Sequence, residues 1–226
     1  MIREIDFLES NFALPDFIDS YVYTRKERKL HPDWMQLNGI LCFCGEQGSG
    51  KTLSAVNYVE NVAKHYHKCH IVTNVDLNID VSPKRIKQYE GVEQMLQYDN
   101  GEYGAIFFID EMHIEFNSLE SKGMDIHTFE LVSQQRKMRK HIVGTSQVFG
   151  RLAKPFREQF KYVVLCDRMI GSVFRQQIFR ASNVPFEDDI RTQLSPYGTR
   201  WYIAGPKMFE KYDTSQVVRR IRDNGF

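Results

Sequence analysis

Residues 45–52 read Gly-Glu-Gln-Gly-Ser-Gly-Lys-Thr. This stretch limits the possible folds more than any other. The spacing G-x-x-x-x-G-K-[ST] makes a phosphate-binding loop when a strand leads into it and a helix leads out. Both are predicted here. Ile40-Leu41-Cys42-Phe43-Cys44 is an apolar run of strand length, and Leu53 to Val59 carries apolar residues at helical spacing. A chance glycine turn would not place Lys51 and Thr52 where phosphate chemistry needs them.

Such a loop turns its main-chain N–H groups inward, and the helix start adds positive potential. The expected phosphate cradle is Gly45, Glu46, Gln47, Gly48, Ser49, Gly50, Lys51, Thr52 and Leu53. Lys51 is expected to reach the β- and γ-phosphates, and the Thr52 hydroxyl to ligate Mg²⁺. Mg²⁺ takes few protein ligands, so a carboxylate is expected elsewhere. Ala105-Ile106-Phe107-Phe108-Ile109 is a second apolar run, and it ends in Asp110-Glu111, a Walker B pattern. Asp110 would hold the metal through its water shell, and Glu111 would act as general base on water. The alternative is an acidic pair that merely caps a strand. Beside a good glycine loop, the pair argues for hydrolysis rather than transfer to a small acceptor. A third run, His141 to Ser146, leads to Gln147, which is expected either to sense the γ-phosphate or simply to end a strand. No Asn-Lys-x-Asp guanine-reading motif is present, so ATP is the expected nucleotide.

With 226 residues and 42% apolar content, one domain with a small appendage is expected. Segments 1–38, 39–166 and 167–226 read as an N-terminal arm, an ATPase core, and C-terminal strands with a basic tail continuous with the core. No run approaches the roughly 18–20 apolar residues of a membrane span. Acids at Glu4 and Asp6 do not suit a signal peptide, so a cytoplasmic setting is expected. Cys42, Cys44, Cys69 and Cys166 form no C-x-x-C pair and read as buried reduced thiols. His65, His67, Cys69 and His70 resemble a metal cluster, but they fit better as a helix end meeting a strand. Net charge is only +1, yet residues 126–165 hold Arg136, Lys137, Arg139, Lys140, Arg151, Lys154, Arg157 and Lys161 against Glu130 and Glu158. That zone suits DNA or a neighbouring subunit's phosphates, or else a solvated helix face.

The arm, rich in aromatic residues such as Phe7, Phe12, Tyr21 and Trp34, reads as a short helix or extended segment. The core is expected to run strand 40–44, helix 51–66, strand 70–75, helix 83–97, strand 105–109, helix 126–139 and strand 141–146. Alternating strands and helices imply a parallel sheet with right-handed crossovers. Strand 71–75 falls between the loop and the Walker B strand in the sequence. With Glu111, it points to an α/β P-loop NTPase of the RecA-like, catalytic-glutamate branch. Tyr162–Cys166, Val173–Phe179 and Arg200–Ala204, joined by short turns, predict an antiparallel C-terminal extension.

Thr73-Asn74, Phe108-Ile109-Asp110-Glu111, Gln135 to His141, Thr145-Ser146-Gln147 and Phe209 to Thr214 follow one another in an order that resembles the zonula occludens toxin-like ATPases of the FtsK–HerA superfamily of DNA pumps. The resemblance spans roughly residues 38–216. Members in filamentous phages are membrane-anchored extrusion ATPases. Related ATPases of similar size in membrane-containing viruses package double-stranded DNA into preformed capsids. The resemblance implies a small packaging motor, or an extrusion ATPase with a membrane partner. It implies a homo-oligomeric ring of five or six subunits, acting on double-stranded DNA at a capsid vertex or beside a membrane protein. In such rings an arginine from one subunit completes the next subunit's site. Arg136 and Arg139 are the first candidates, followed by Arg151 and Arg157. Each equally suits a surface or DNA contact.

Overall fold

The computed structural model describes residues 14–116, 138–152, 154–184 and 195–212. Helix α1, Leu14–Leu30, forms the arm, with Leu14, Ile18 and Tyr21 exposed. A loop then returns the chain to the body. His31 stacks on Trp34 at 3.7 Å, and the Met35 amide donates to the Glu102 carbonyl. Met35 is buried at the base of the sheet.

One eight-stranded sheet organises everything else. Its strands are β1 Gly39–Cys44, β2 His70–Thr73, β3 Ile86–Gln88, β4 Ala105–Ile109, β5 Lys140–Ser146, β6 Phe160–Ile170, β7 Val173–Arg180 and β8 Gly198–Ile203. They lie in the order β3-β2-β4-β5-β1-β6-β7-β8. The six from β3 to β6 are parallel, while β7 and β8 run antiparallel. Strands β1 and β4 are almost wholly apolar because both faces of the sheet are covered there, as parallel sheets require. Leu41, Phe43, Ile106, Phe108 and Val143 pack beneath helix α2, Lys51–His65, through Ala55, Val56, Val59 and Val62. Ile40, Cys42, Phe107, Ile109 and Ile142 pack on the other face against Phe116, Phe149, Phe156 and Phe160.

Three expectations need correction. The helix placed at 83–97 is a 3-10 turn, Pro83–Arg85, then edge strand β3, then a short helix α3, Val92–Gln97. Gly91, at φ 130°, breaks the chain between strand and helix. The strand that separates the loop strand from the Walker B strand is β5, inserted between β1 and β4, and not β2. The branch assignment holds, carried by a different strand. Third, the basic zone is not one surface. Lys140 is buried, its ammonium donating to the Met95 and Leu96 carbonyls at the end of α3, and burial lowers its pKa to about 8. Lys161 lies at the start of β6, beside Gly39, while Arg151 lies beyond the far end of β5. The expected helix 126–139 falls almost wholly outside the described residues, as do Arg136 and the basic tail.

The antiparallel extension is as expected, with β6 crossing residue 166 without a break. Two further short helices are α4, Lys154–Arg157, and α5, Pro206–Phe209. All four cysteines are buried free thiols. His70 bonds Tyr98, and Cys69 accepts from Arg85. Among the described residues there is no group of three or more His, Cys, Asp or Glu arranged for a metal. Among them, too, no helix is long and apolar enough to cross a membrane.

Candidate active site

The parallel strands β1, β4 and β5 end side by side, and the chemistry gathers there. β1 delivers the loop, β4 delivers Asp110 and Glu111, and β5, between them, delivers Thr145. Ligands bind at this carboxyl edge in open α/β sheets.

The loop is held tightly. Gly50 has φ 83°, and a Cβ there would lie 2.5 Å from the Phe174 ring. A Cβ on Gly45 would meet the Cys166 carbonyl at 2.6 Å. Neither position tolerates a side chain without displacing β6 or β7. The extension therefore braces the loop. Phe174 stacks on Tyr202 at 5.2 Å, and the Tyr202 and Ser54 hydroxyls are hydrogen-bonded at 2.8 Å on the first turns of α2. Glu46, Gln47 and Gly48 are exposed at the rim, whereas Ser49, Lys51 and Leu53 are buried. The Ser49 hydroxyl oxygen is buried, with no hydrogen-bond partner among the described residues.

Lys51 is 7% exposed, and its ammonium lies 3.4 Å from Glu111 Oε1. The Thr52 hydroxyl donates to Asp110 Oδ1 at 3.0 Å, and the Thr145 hydroxyl donates to the same oxygen at 2.6 Å. Asn74, just past β2, accepts from the Asp110 amide at 2.9 Å and donates to its carbonyl at 3.0 Å. Thr145 Oγ1 also accepts the Glu111 amide at 2.8 Å. Glu111 itself has φ 50°, a left-handed conformation unusual for a non-glycine residue. Burial raises the Asp110 pKa, against the lowering pull of the Thr145 and Thr52 hydroxyls, while the neighbouring Glu111 charge adds to the rise. A cation at this carboxylate would reverse that burial penalty. Thr52 and Asp110 offer only hard oxygen donors, the set that Mg²⁺ takes, so the residues present fit the ion.

Sequence reasoning missed three contributors. Thr145 and Asn74 stand in stretches that carry a family signal, but their partners appear only once β2, β4 and β5 are adjacent. His113 has no sequence signal. Its Nδ1 lies 3.2 Å from Glu111 Oε2. Burial lowers the His113 pKa, the Glu111 charge opposes this, and the nearby Arg151 charge adds to the lowering. Gln147 is exposed just beyond β5. Arg139 is not brought to this edge. It precedes β5 at the opposite end of the sheet, where its guanidinium pairs with Glu102 at 2.6 Å, donates to the Met35 carbonyl and lies over the Trp34 ring. Those ties fasten the arm to the sheet.

The family model for zonular occludens toxin (Zot) matches residues 39–216. The chain belongs to the Zot family. The N-terminal domain of zonular occludens toxin from Neisseria meningitidis superposes with a TM-score of 0.56 at 18% identity, over 78% of this chain and 100% of that one. A structure solved as an isolated ATPase domain gives 0.52 at 10% identity, over 89% and 99%. The genome packaging NTPase B204 from Sulfolobus turreted icosahedral virus 2 gives 0.49 at 12% identity, over 64% and 93%. At these identities the likenesses speak to fold alone, and the Zot-family fold is that of a P-loop NTPase. No curated protein matches the chain by sequence.

Proposed function

We propose that this Zot-family chain is an ATP-hydrolysing motor that translocates double-stranded DNA, packaging a phage or viral genome into a preformed capsid. The observation that carries the hydrolytic part is the convergence of Lys51, Thr52, Asp110, Glu111 and Thr145 on one sheet edge. Lys51 would neutralise charge on the β- and γ-phosphates. Glu111 would take a proton from the water that attacks the γ-phosphorus as the bond to the β-phosphate oxygen breaks. Thr52 and Asp110 would hold Mg²⁺, which neutralises phosphate charge when bound. The resemblance to DNA pumps supports the DNA substrate and a ring. For a trans-acting arginine, the first candidates are Arg136 and Arg139, followed by Arg151 and Arg157.

The test is the ATPase rate with and without double-stranded DNA. Lys51→Ala is expected to abolish nucleotide binding. Glu111→Gln is expected to keep binding and stall turnover. DNA that neither binds nor stimulates turnover overturns the translocase reading even if the ATPase activity survives. A second reading, extrusion or secretion beside a membrane partner, is favoured by Zot-family membership itself. Co-purification with a membrane subunit, without DNA stimulation, would select it.

A further inference from the structure

Glu111 Oε1 faces the Lys51 ammonium, and Glu111 Oε2 faces His113 Nδ1. Oε2 and Nδ1 are both buried, and among the described residues neither has a hydrogen bond of good geometry, although they are 3.2 Å apart. The Glu111 and His113 side chains are 21% and 19% exposed, so solvent does little to satisfy them. Two aimed, sealed and unsatisfied polar atoms at contact distance need only a small rotation to bond.

The two contacts of Glu111 have different fates once nucleotide binds. A γ-phosphate claims the Lys51 ammonium and repels a carboxylate beside it. The Lys51 contact is thus one of the nucleotide-free site. The His113 contact draws on no group that the phosphate claims. A carboxylate can only accept, so the pairing requires the proton on Nδ1. We propose that His113 is the positioning residue of the general base, and that its Nδ1–H holds Glu111 over the attacking water after phosphate has taken Lys51. This rests on the ATPase reading above.

The experiment uses the full chain and measures kcat, KM and binding of a fluorescent ATP analogue. His113→Ala is expected to lower kcat by roughly tenfold or more, the loss of one hydrogen bond to a charged group, with analogue affinity unchanged. His113→Asn keeps a donor at the Nδ1 position and should recover much of the rate. His113→Gln places its donor at the Nε2 position and should not. A structural role would not sort Asn from Gln in kcat alone. Unchanged kcat in His113→Ala overturns the proposal, as does equal loss in Asn and Gln with weakened binding. Wild type and Lys51→Ala run in parallel. Absence of Lys51-dependent turnover in wild type sinks the ATPase reading and this proposal with it, whereas normal wild-type turnover indifferent to His113 sinks the positioning role alone.

Discussion

Thr145 and Asp110 are hydrogen-bonded across neighbouring strands, Oγ1 to Oδ1 at 2.6 Å, and the same Thr145 oxygen accepts the Glu111 amide. One hydroxyl thus fixes the side chain of the first acid and the backbone of the second. This works only because β5 lies between β1 and β4. Thr145→Val keeps the volume and removes both bonds. It leaves the Glu111 N–H unpaired at a cost of about 1–3 kcal/mol. A lowered urea midpoint and at least a tenfold loss of kcat are expected. Thr145→Ser retains the hydroxyl and should keep most of both. Equal activity in Val and Ser variants would refute the bridging role.

Gly50→Ala tests the bracing of the loop by the extension. The added Cβ meets the Phe174 ring at 2.5 Å, and φ 83° costs an L-residue about 1–2 kcal/mol by itself. Both stability and nucleotide affinity should fall. Phe174→Leu in the same chain relieves the steric part and leaves the backbone part. The double variant should therefore be less destabilised than the sum of the two single ones, by a double-mutant cycle. Additive losses would mean that Phe174 does not press on the loop.

Asp110 gives the nucleotide-free protein an unusual pH response. Its native pKa stands above the ordinary 3.8, chiefly through burial. The native state therefore holds this proton more tightly than the unfolded chain does. Its contribution to stability is fully present below 3.8 and is lost as pH rises through the native value. Asp110→Asn should remove that slope from urea midpoints measured without metal, and should raise stability at neutral pH. A wild-type-minus-variant difference that is flat with pH would contradict the burial argument.

How much of this is legible in the sequence depends on how local each signal is. The loop at 45–52 and the Asp110-Glu111 pair are plain, because each sits at the end of an apolar run whose length and flanks define it. The antiparallel extension is also plain, since Gly171 and its neighbours mark a tight turn between two β-rich runs. Strand β3, Ile-Lys-Gln, is invisible, since three residues at a sheet edge carry no period. Spatial strand order is not written in any one segment, so the sequence points to β2 for the place that β5 occupies. Lys140 looks like a surface charge because composition cannot foresee two helix-end carbonyls waiting for its ammonium. The pairing of Arg139 is unreadable for the same reason. The partner that claims it, Glu102, lies 37 positions earlier by sequence number. The residues expected at the phosphates are readable, whereas Thr145, Asn74 and His113, which lie against Asp110 and Glu111, need the sheet.

His141 supplies an opposite pH response that can be separated from that of Asp110. It sits at the start of β5, buried between β1 and α2, with Nδ1 3.0 Å from the Gly39 carbonyl and Nε2 2.8 Å from the Tyr58 hydroxyl. The carbonyl can only accept, so Nδ1 carries the proton, and Nε2 accepts from Tyr58. Both ring nitrogens are satisfied in the neutral form. Burial pushes the pKa down to about 4, well below the ordinary 6.5. The unfolded chain therefore binds a proton between pH 6.5 and about 4 that the native state refuses. Stability present above 6.5 is lost across that window as pH falls, to a total of about 3 kcal/mol. Below about 4 both states are charged and the loss levels off. His141→Asn cannot titrate, so the wild-type-minus-variant midpoint should fall steeply from pH 6.5 to 4 and then flatten. Tyr58→Phe removes the hydroxyl that Nε2 accepts from. It should shrink the window from its acid end, because a ring with a free Nε2 protonates more readily. A difference curve without slope in that interval would mean that His141 is not held neutral by its burial.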